Sequence, residues 1–500
     1  MREDSKRTLV VLLLGFLALG LTHFLWLSQV AGWHYDEAWA GNYAYRIATE
    51  PGFWPLSAMT PYTAAWSHWI AALAFHFFGT TVLVYRATGI LEVIAGLALI
   101  AAALWRKGER STASLLPWVV AFFPAIVMNH RWVIEMNTLF VLCAGLIVFG
   151  LSLERTWRAR ALIILGVTVG VTSHVLFLAP ILALWFCGFV SGNWGQGQHA
   201  RGDRMTVSAI AIGLILFFFK IGQTLPPEDH WKATSLILLS GFILVMQLVE
   251  GMLGAPSFNP KMRNWTLAVP AFFGTVLLVP FFIFAEGSWL ALFSAGQLQT
   301  VYLMGTIYIP VVLAAFFAMR APRGTFKVRF ELLAWLPICL ALILVMVVKP
   351  GPRYYEIPFL YAAVFFSWTL SRLERSQVIL VMALWIGLGS AQLGVNYFKP
   401  DLEQVQVDRE YHLWHLHDSS LDMLPTQRIA KRLSQEGCAY SDLEVTDYRL
   451  DECLRFLSHG SDWPENPGHE CRFGHKVDVL RQPGNEGQFT IVPVTTPATS

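Results

Sequence analysis

The chain has 500 residues, of which 55% are hydrophobic and only 14% charged. A water-soluble protein of this length carries nearer a quarter charged residues, so a soluble globular fold is excluded. The formal net charge of +2 makes no case for nucleic acid as a partner. The remaining class is an all-α polytopic membrane protein whose first partner is the lipid bilayer.

Apolar runs long enough for about 30 Å of hydrocarbon recur along the chain. They predict roughly thirteen transmembrane helices, at 8–30, 82–104, 112–128, 133–152, 161–174, 175–191, 206–221, 233–252, 265–285, 299–319, 328–348, 357–371 and 376–396. The first run is too long for a signal-peptide core and has no convincing cleavage site, so it reads as a retained anchor. Alternate loops (MREDSKR, RKGER, ERTWRAR, HARGDR, NPKMR, MRAPRGTFKVR, SRLERS) hold 19 Lys and Arg, whereas the opposite loops and nearby span ends hold 7. That asymmetry predicts a cytoplasmic N-terminus and an extracytoplasmic C-terminal region. Isolated polar residues gather on the opposite, outer side: Asp36, Glu37, His130, Arg131, Glu135, His174, Lys349, Arg353 and Glu356.

Residues 32–81 form an outer loop that is amphipathic rather than hydrophilic. The stretch DEAWAGNYAYRIA predicts a helix with Asp36 and Glu37 in its first turn, where carboxylates suit the positive end of the helix dipole. Adjacent helical residues point about 100° apart, so one acid can face a central cavity while the other faces protein. Downstream, SAMTPYTAAWSHWIAALAFHFFG, with Trp66, Trp69, Phe75 and Phe77, predicts a helix lying at headgroup level. Arg131 and Glu135, four apart, have pairing with each other as an alternative to chemistry. Glu92 inside the second span needs a partner in lipid, and Arg86 suffices. His174 at a span end reads as interfacial or functional.

After Phe398 the composition changes: 17 of the 34 acids follow residue 400. This divides the chain into a membrane module, 1–397, and a C-terminal domain, 398–500. MLPTQRIAKRLSQEG and LDECLRFLSHG read as helices, CAYSDLEVTD and QFTIVPVTT as strands, and the residues after Val494 as a disordered tail. A small extracytoplasmic α/β domain is expected. Cys143, Cys187 and Cys339 lie in spans and read as apolar residues. Cys438, Cys453 and Cys471 are placed where disulfides form, and one pair is expected, Cys453–Cys471 or Cys438–Cys453.

The order of motifs resembles the GT-C glycosyltransferase superfamily, in the branch with protein O-mannosyltransferases and the lipid A aminoarabinose transferase. The resemblance rests on HYDEAW after the first span, on YRATGILEVIAGLALIAAALWRKG at 85–108, and on Arg131 and Glu135 in NHRWVIEMNTLFVL. It also rests on Arg353, Tyr354 and Pro358 in KPGPRYYEIPFLYAAVF. The chain departs from the family where an Asp is common and Glu135 stands, and where relatives often have Lys-Gly and Ser173-His174 stands. The resemblance covers about residues 1–400. It implies a GT-C fold and transfer of a sugar from a polyprenyl-phosphate donor to a lipid, glycan or protein hydroxyl at the outer face of the cell membrane.

The resemblance places the site as follows. Asp36 is the general base that takes the acceptor's proton, and Glu37 is its companion, shaping the site or orienting the acceptor. Arg353 holds the donor phosphate bidentately, with Lys349, Arg131 and His174 sharing that charge. Glu135, His34 and Tyr354 serve acceptor, sugar or structure. One base implies inversion of the anomeric centre. A divalent ion on Asp36, Glu37 and Glu135 is allowed by their oxygens, but a monophosphate paired with Arg needs it less, so no metal or cofactor is included. The alternatives are a lipid or glycan transporter or flippase, and a glycan ligase or polymerase with a lipid-pyrophosphate donor. A third is an accessory subunit with the fold but no chemistry. No internal repeat of the transporter kind is visible.

Overall fold

In the computed structural model of the chain, the described residues are 3–28, 33–53, 66–131, 137–153, 156–174, 177, 200–223, 230–253, 307–321, 356–397, 423–424, 426–445, 448–460, 463, 471, 477–481 and 489–493. Apart from Phe177, the expected spans 175–191, 265–285 and 328–348 lie outside them, as does the tail after Val494. Among the described residues the membrane module contains α1 (Glu3–Phe24), β1 (Trp33–His34), α2 (Tyr35–Thr49), α3 (Trp66–Phe78), α4 (Val82–Arg106), α5 (Arg110–Ala121) and α6 (Pro124–Arg131). These are followed by α7 (Thr138–Ser152), α8 (Trp157–Ser173), α9 (Ala200–Gly222), α10 (His230–Leu253), α11 (Tyr308–Arg320), α12 (Glu356–Leu370) and α13 (Arg375–Tyr397).

Each of the other ten expected spans coincides with one or more of these helices. Among the described residues α1, α4 and α13 are long and apolar enough to cross a membrane unaided. Residues 112–128 do not form one straight span. They divide into α5 and α6, bent by 69° at the Phe122–Phe123 break. Pro124 is the reason: it disfavours helical backbone at Phe123 and has no N–H to continue α5, yet it suits the first position of a new helix.

Helix starts follow local chemistry. Thr81, with extended backbone, accepts a hydrogen bond from the Val84 N–H at 3.1 Å and opens α4. Thr156 does the same for α8. Small residues then allow close packing: a Cβ added at Gly96 would collide with the Val141 carbonyl, and one at Gly145 would lie 2.5 Å from the Gly96 carbonyl oxygen. Backbones of α4 and α7 therefore meet directly, as apolar helices do where small residues face each other. The large core spans α1 and α4–α13, with Leu97, Val119, Ile126, Val141, Phe366 and Trp385 inside it.

The C-terminal region adds β2 (Met423–Leu424), α14 (Thr426–Gln435), β3 (Leu443–Glu444), α15 (Tyr448–Ser458), β4 (Val477–Arg481) and β5 (Phe489–Pro493). Both expected helices and the closing strand form. Of the stretch read as a strand at 438–447, the described residues form a single 3-10 turn, Tyr440–Asp442, before the two-residue β3. Strand β4 was not legible in the sequence; it pairs parallel to β3 and antiparallel to β5.

The disulfide differs from both expected pairings. It joins Cys438 to Cys471, with Cα atoms 4.3 Å apart. Cys453 faces inward from α15 and is fully buried, so helix orientation, not spacing in sequence, decides the pair.

A second core links this region to the loop carrying the acidic pair. Ala38, Ala44, Phe75 and Tyr85 pack with Leu433, Leu454, Phe456 and Leu457. A Cβ at Gly41 would lie 2.5 Å from the Phe456 ring. Asn42 donates to the Glu452 carboxylate at 2.7 Å, Tyr45 stacks on His459 at 3.7 Å, and β1 pairs antiparallel with β2. On α3, Trp66, Trp69, Phe77 and Phe78 are exposed while Phe75 is inside, the amphipathic face expected of an interfacial helix.

Candidate functional site

Helix α2 begins at Tyr35, and both acids stand in its first turn as the dipole argument expects. Their surroundings divide their roles. Asp36 is partly exposed. Glu37 is fully buried: Arg86 Nε donates to one of its oxygens at 3.0 Å and Nη2 to the other at 2.8 Å. A planar guanidinium matches a carboxylate in this bidentate manner. Taking two charges out of water is expensive, and such a pair persists where its geometry satisfies both groups.

This overturns the expected Arg86–Glu92 pair. The Arg86 guanidinium reaches Glu37, 49 residues away, while Glu92 accepts from the Thr138 hydroxyl at 2.7 Å. The third arm of Arg86, Nη1, donates to the Leu27 carbonyl at 3.0 Å.

Arg131, expected at the donor phosphate or on Glu135, caps α1. Its Nη2 donates to the Leu25 and Trp26 carbonyls at 2.8 Å each, and its Nη1 reaches the His23 and Thr22 carbonyls at 3.2 and 3.4 Å. A cation is stabilising where helix carbonyls end unpaired. Trp26 has φ +48°, the left-handed region that side-chain-bearing residues rarely adopt. That turn presents the carbonyls of 25–27 to the two arginines.

Beside the cap lies a buried polar chain that sequence reasoning did not assemble. His130 Nε2 is 2.7 Å from Glu356, His130 Nδ1 is 3.0 Å from His23 Nε2, and His23 Nδ1 is 2.9 Å from the Leu19 carbonyl. Asn129 donates to the other Glu356 oxygen at 2.5 Å, and Asn137 donates to the Asn129 carbonyl at 3.0 Å. His130 and Glu356 were visible as polar residues at one side of the membrane. His23 sits in the last turn of an apolar span, and an ionisable residue there is the signal that could have found it.

His174 follows α8 as its C-cap, is buried, and meets Phe140 edge-on. Trp66 on α3 donates to Thr172, two residues earlier, at 2.7 Å, so α3 is fastened to that end of α8. His34 lies on β1 opposite Met423. Glu135, Lys349, Arg353 and Tyr354 lie outside the described residues. Among the described residues no three His, Cys, Asp or Glu side chains converge as a metal site, and both Glu37 oxygens are committed to Arg86.

No family model and no curated protein matches the sequence. Among solved structures, an Archaeoglobus fulgidus oligosaccharyltransferase in complex with Zn and sulfate aligns at 11% identity over 90% of this chain and 61% of its own, with a TM-score of 0.52. A second structure of that protein, tethered to an acceptor peptide, aligns at 14% identity over 91% of this chain and 63% of its own, with a TM-score of 0.48. ArnT from Cupriavidus metallidurans in the apo state aligns at 12% identity over 91% of this chain and 85% of its own, with a TM-score of 0.45. The chain thus spans under two thirds of the length of the oligosaccharyltransferase structures. The first of these likenesses carries the conclusion, which concerns the fold alone: the chain shares the helical membrane-protein architecture of that oligosaccharyltransferase.

Proposed function

We propose that the chain is an integral-membrane glycosyltransferase that moves a sugar from a polyprenyl-phosphate carrier to a hydroxyl acceptor on the extracytoplasmic face. The observation that carries this reading is the division of labour within the acidic pair. Glu37 is locked by Arg86, while Asp36, one residue earlier on the same helical turn, is partly exposed. A carboxylate placed beside the reacting hydroxyl takes its proton as the glycosidic bond forms. With Glu37 bound on both oxygens, one carboxylate serves the chemistry, which favours single displacement with inversion.

The donor's departing phosphate needs cations. Because Arg131 serves the end of α1, that duty is assigned first to Arg353 and Lys349, which precede α12 in the sequence, with His174 at the end of α8 sharing it. Phosphate oxygens suit a guanidinium fork. The loop-charge asymmetry supports an inner-membrane protein with its N-terminus in the cytoplasm. The C-terminal region, packed on α2 through the second core, would then lie on the acceptor side. Transfer of a whole oligosaccharide is the second reading, favoured by the fold match to an oligosaccharyltransferase.

The test offers purified protein labelled polyprenyl-phosphate sugars and, separately, lipid-pyrophosphate oligosaccharides, and follows label into a new covalent product. Asp36→Asn should lower transfer at least about 100-fold, the usual worth of a positioned general base. Undiminished transfer by that variant removes Asp36 as the base. Label that changes leaflet without changing its covalent partner makes the protein a flippase.

A further inference from the structure

The buried contacts around the end of α1 form one continuous path between two distant parts of the chain. It starts at Glu37, next to Asp36, and passes through Arg86 to the Leu27 carbonyl. Arg131 takes the next carbonyls, of Trp26 and Leu25. Its neighbour on α6, His130, then bonds both His23 on α1 and Glu356 at the first position of α12. Glu37, Arg86, His23, Asn129, His130, Arg131 and Glu356 are all buried. Inside a low-dielectric core every such polar contact is costly to leave unmade, so this path exists for a reason other than packing alone.

Hydrogen placement along the path is determined by its acceptors. The Leu19 carbonyl can only accept, so His23 Nδ1 carries a proton, and His23 Nε2 accepts from His130 Nδ1. One further proton then lies between His130 Nε2 and Glu356, and Asn129 donates to the second Glu356 oxygen. Three helices, α1, α6 and α12, are joined by this chain of buried hydrogen bonds.

We infer that His23, His130 and Glu356, together with Arg131 and Arg86, are positioning residues for the transfer reaction: a strut that sets the distance from Asp36 to the start of α12. This rests on the proposed transferase reading. Arg353 stands three residues before Glu356, and three peptide units span at most about 11 Å, so anchoring Glu356 limits where the phosphate-binding guanidinium can go. At the other end, Glu37 holds the first turn of α2 on which Asp36 stands. An error of about 1 Å between groups acting on one substrate lowers rates about 100-fold, which gives such a strut its value.

The experiment measures the Kd of undecaprenyl phosphate and the rate of sugar transfer for Glu356→Leu and Glu356→Gln in nanodiscs, per folded molecule. Glutamine can accept from Asn129 with its carbonyl and donate to His130 Nε2 with its amide, so it keeps every bond of the strut; leucine keeps only volume. Glu356→Leu should weaken undecaprenyl phosphate at least tenfold and lower kcat by at least as much. Glu356→Gln should recover both to within threefold. If Glu356→Leu does not fold, His23→Phe, which leaves the Glu356–Asn129 bond intact, is expected to weaken the carrier three- to tenfold. A series in which the wild type binds and the leucine or phenylalanine variant binds equally well overturns the strut and leaves the transferase reading standing. Glutamine as damaging as leucine overturns it too, because charge rather than bonded position would then matter. A wild type that binds no undecaprenyl phosphate sinks the donor reading, and the strut with it.

Discussion

The two ends of the helical bundle solve the same problem in opposite ways. At one end, Arg372 Nη2 donates to both Glu109 oxygens with both side chains partly in solvent, Glu109 18% and Arg372 31% exposed, while Arg110 donates to Ser5. At the other end, Glu37 and Arg86 pair at 0% exposure, and Arg131, His23, His130 and Glu356 are buried beside them. Solvated pairs tie loops at little cost and little gain. A dry cluster of this size is tolerated where its geometry is needed. The contrast sets the dry end, where α1 finishes and α2 begins, apart from the solvated one.

The strongest way to break that contrast is to remove one partner of the buried pair. Glu37→Ala leaves the Arg86 charge without its carboxylate in the core, which should destabilise the protein by about 3–5 kcal/mol. Thermal or denaturant unfolding in detergent measures it. Replacing both residues by leucine should recover much of that stability while transfer stays low, since the first turn of α2 would lose its anchor. Full transfer by the double variant would mean that Asp36 needs no such anchoring.

A more local effect is expected where the C-terminal region meets α2. Closing a loop between Cys438 and Cys471, 33 residues apart, is worth about 4 kcal/mol by chain entropy alone. The effect of Cys438→Ser should be local. Hydrogen exchange should speed up in α14 and α15, with the membrane helices unchanged. Equal protection in the two proteins would show that the shared core, with Phe456 against Gly41, suffices by itself.

Much of this architecture is legible in the sequence, for a physical reason: lipid demands about twenty apolar residues per crossing and leaves ionisable residues conspicuous. The acidic pair, its helix, the aromatic face of α3 and the one-sided cluster of His130, Arg131 and Glu356 could all be read that way. Partner choice could not. Arg86 has Glu92 six residues away and Glu37 49 away, and only the packed fold shows that it takes the distant one. His23 and His130 are separated by 107 residues, and no periodicity connects them. The same blindness to orientation governs the cysteines, because the inward face of α15 removes Cys453 from the pairing. The bend at Pro124 was written in the chain but hidden by an apolar run that continues through it.

A milder contrast concerns acid. His459 stacks on Tyr45 of α2, and burial, with the nearby Arg455 charge second, pushes its imidazole down to about 4. The unfolded ring has its ordinary value near 6.5. A depressed folded value means that the neutral ring's stabilisation is complete above about 6.5 and is lost as pH falls toward 4. Hydrogen exchange at the α2–α15 contact should therefore be faster at pH 5 than at pH 7. His459→Phe, which retains an aromatic ring without the titration, should remove most of the difference.

The smallest effect belongs to the solvated end and sets the scale for the rest. Glu109→Gln removes the charge that Arg372 meets through two hydrogen bonds at 2.8 Å, but water reaches both groups, so the loss should be at most about 1 kcal/mol. Raising the salt concentration should shrink it further, because screening acts on exposed charges and hardly on buried ones. The Glu37–Arg86 pair should show no such salt dependence. If the two pairs responded alike to salt, water would be reaching Arg86, and the dry junction between Asp36 and the start of α12 would lose its basis.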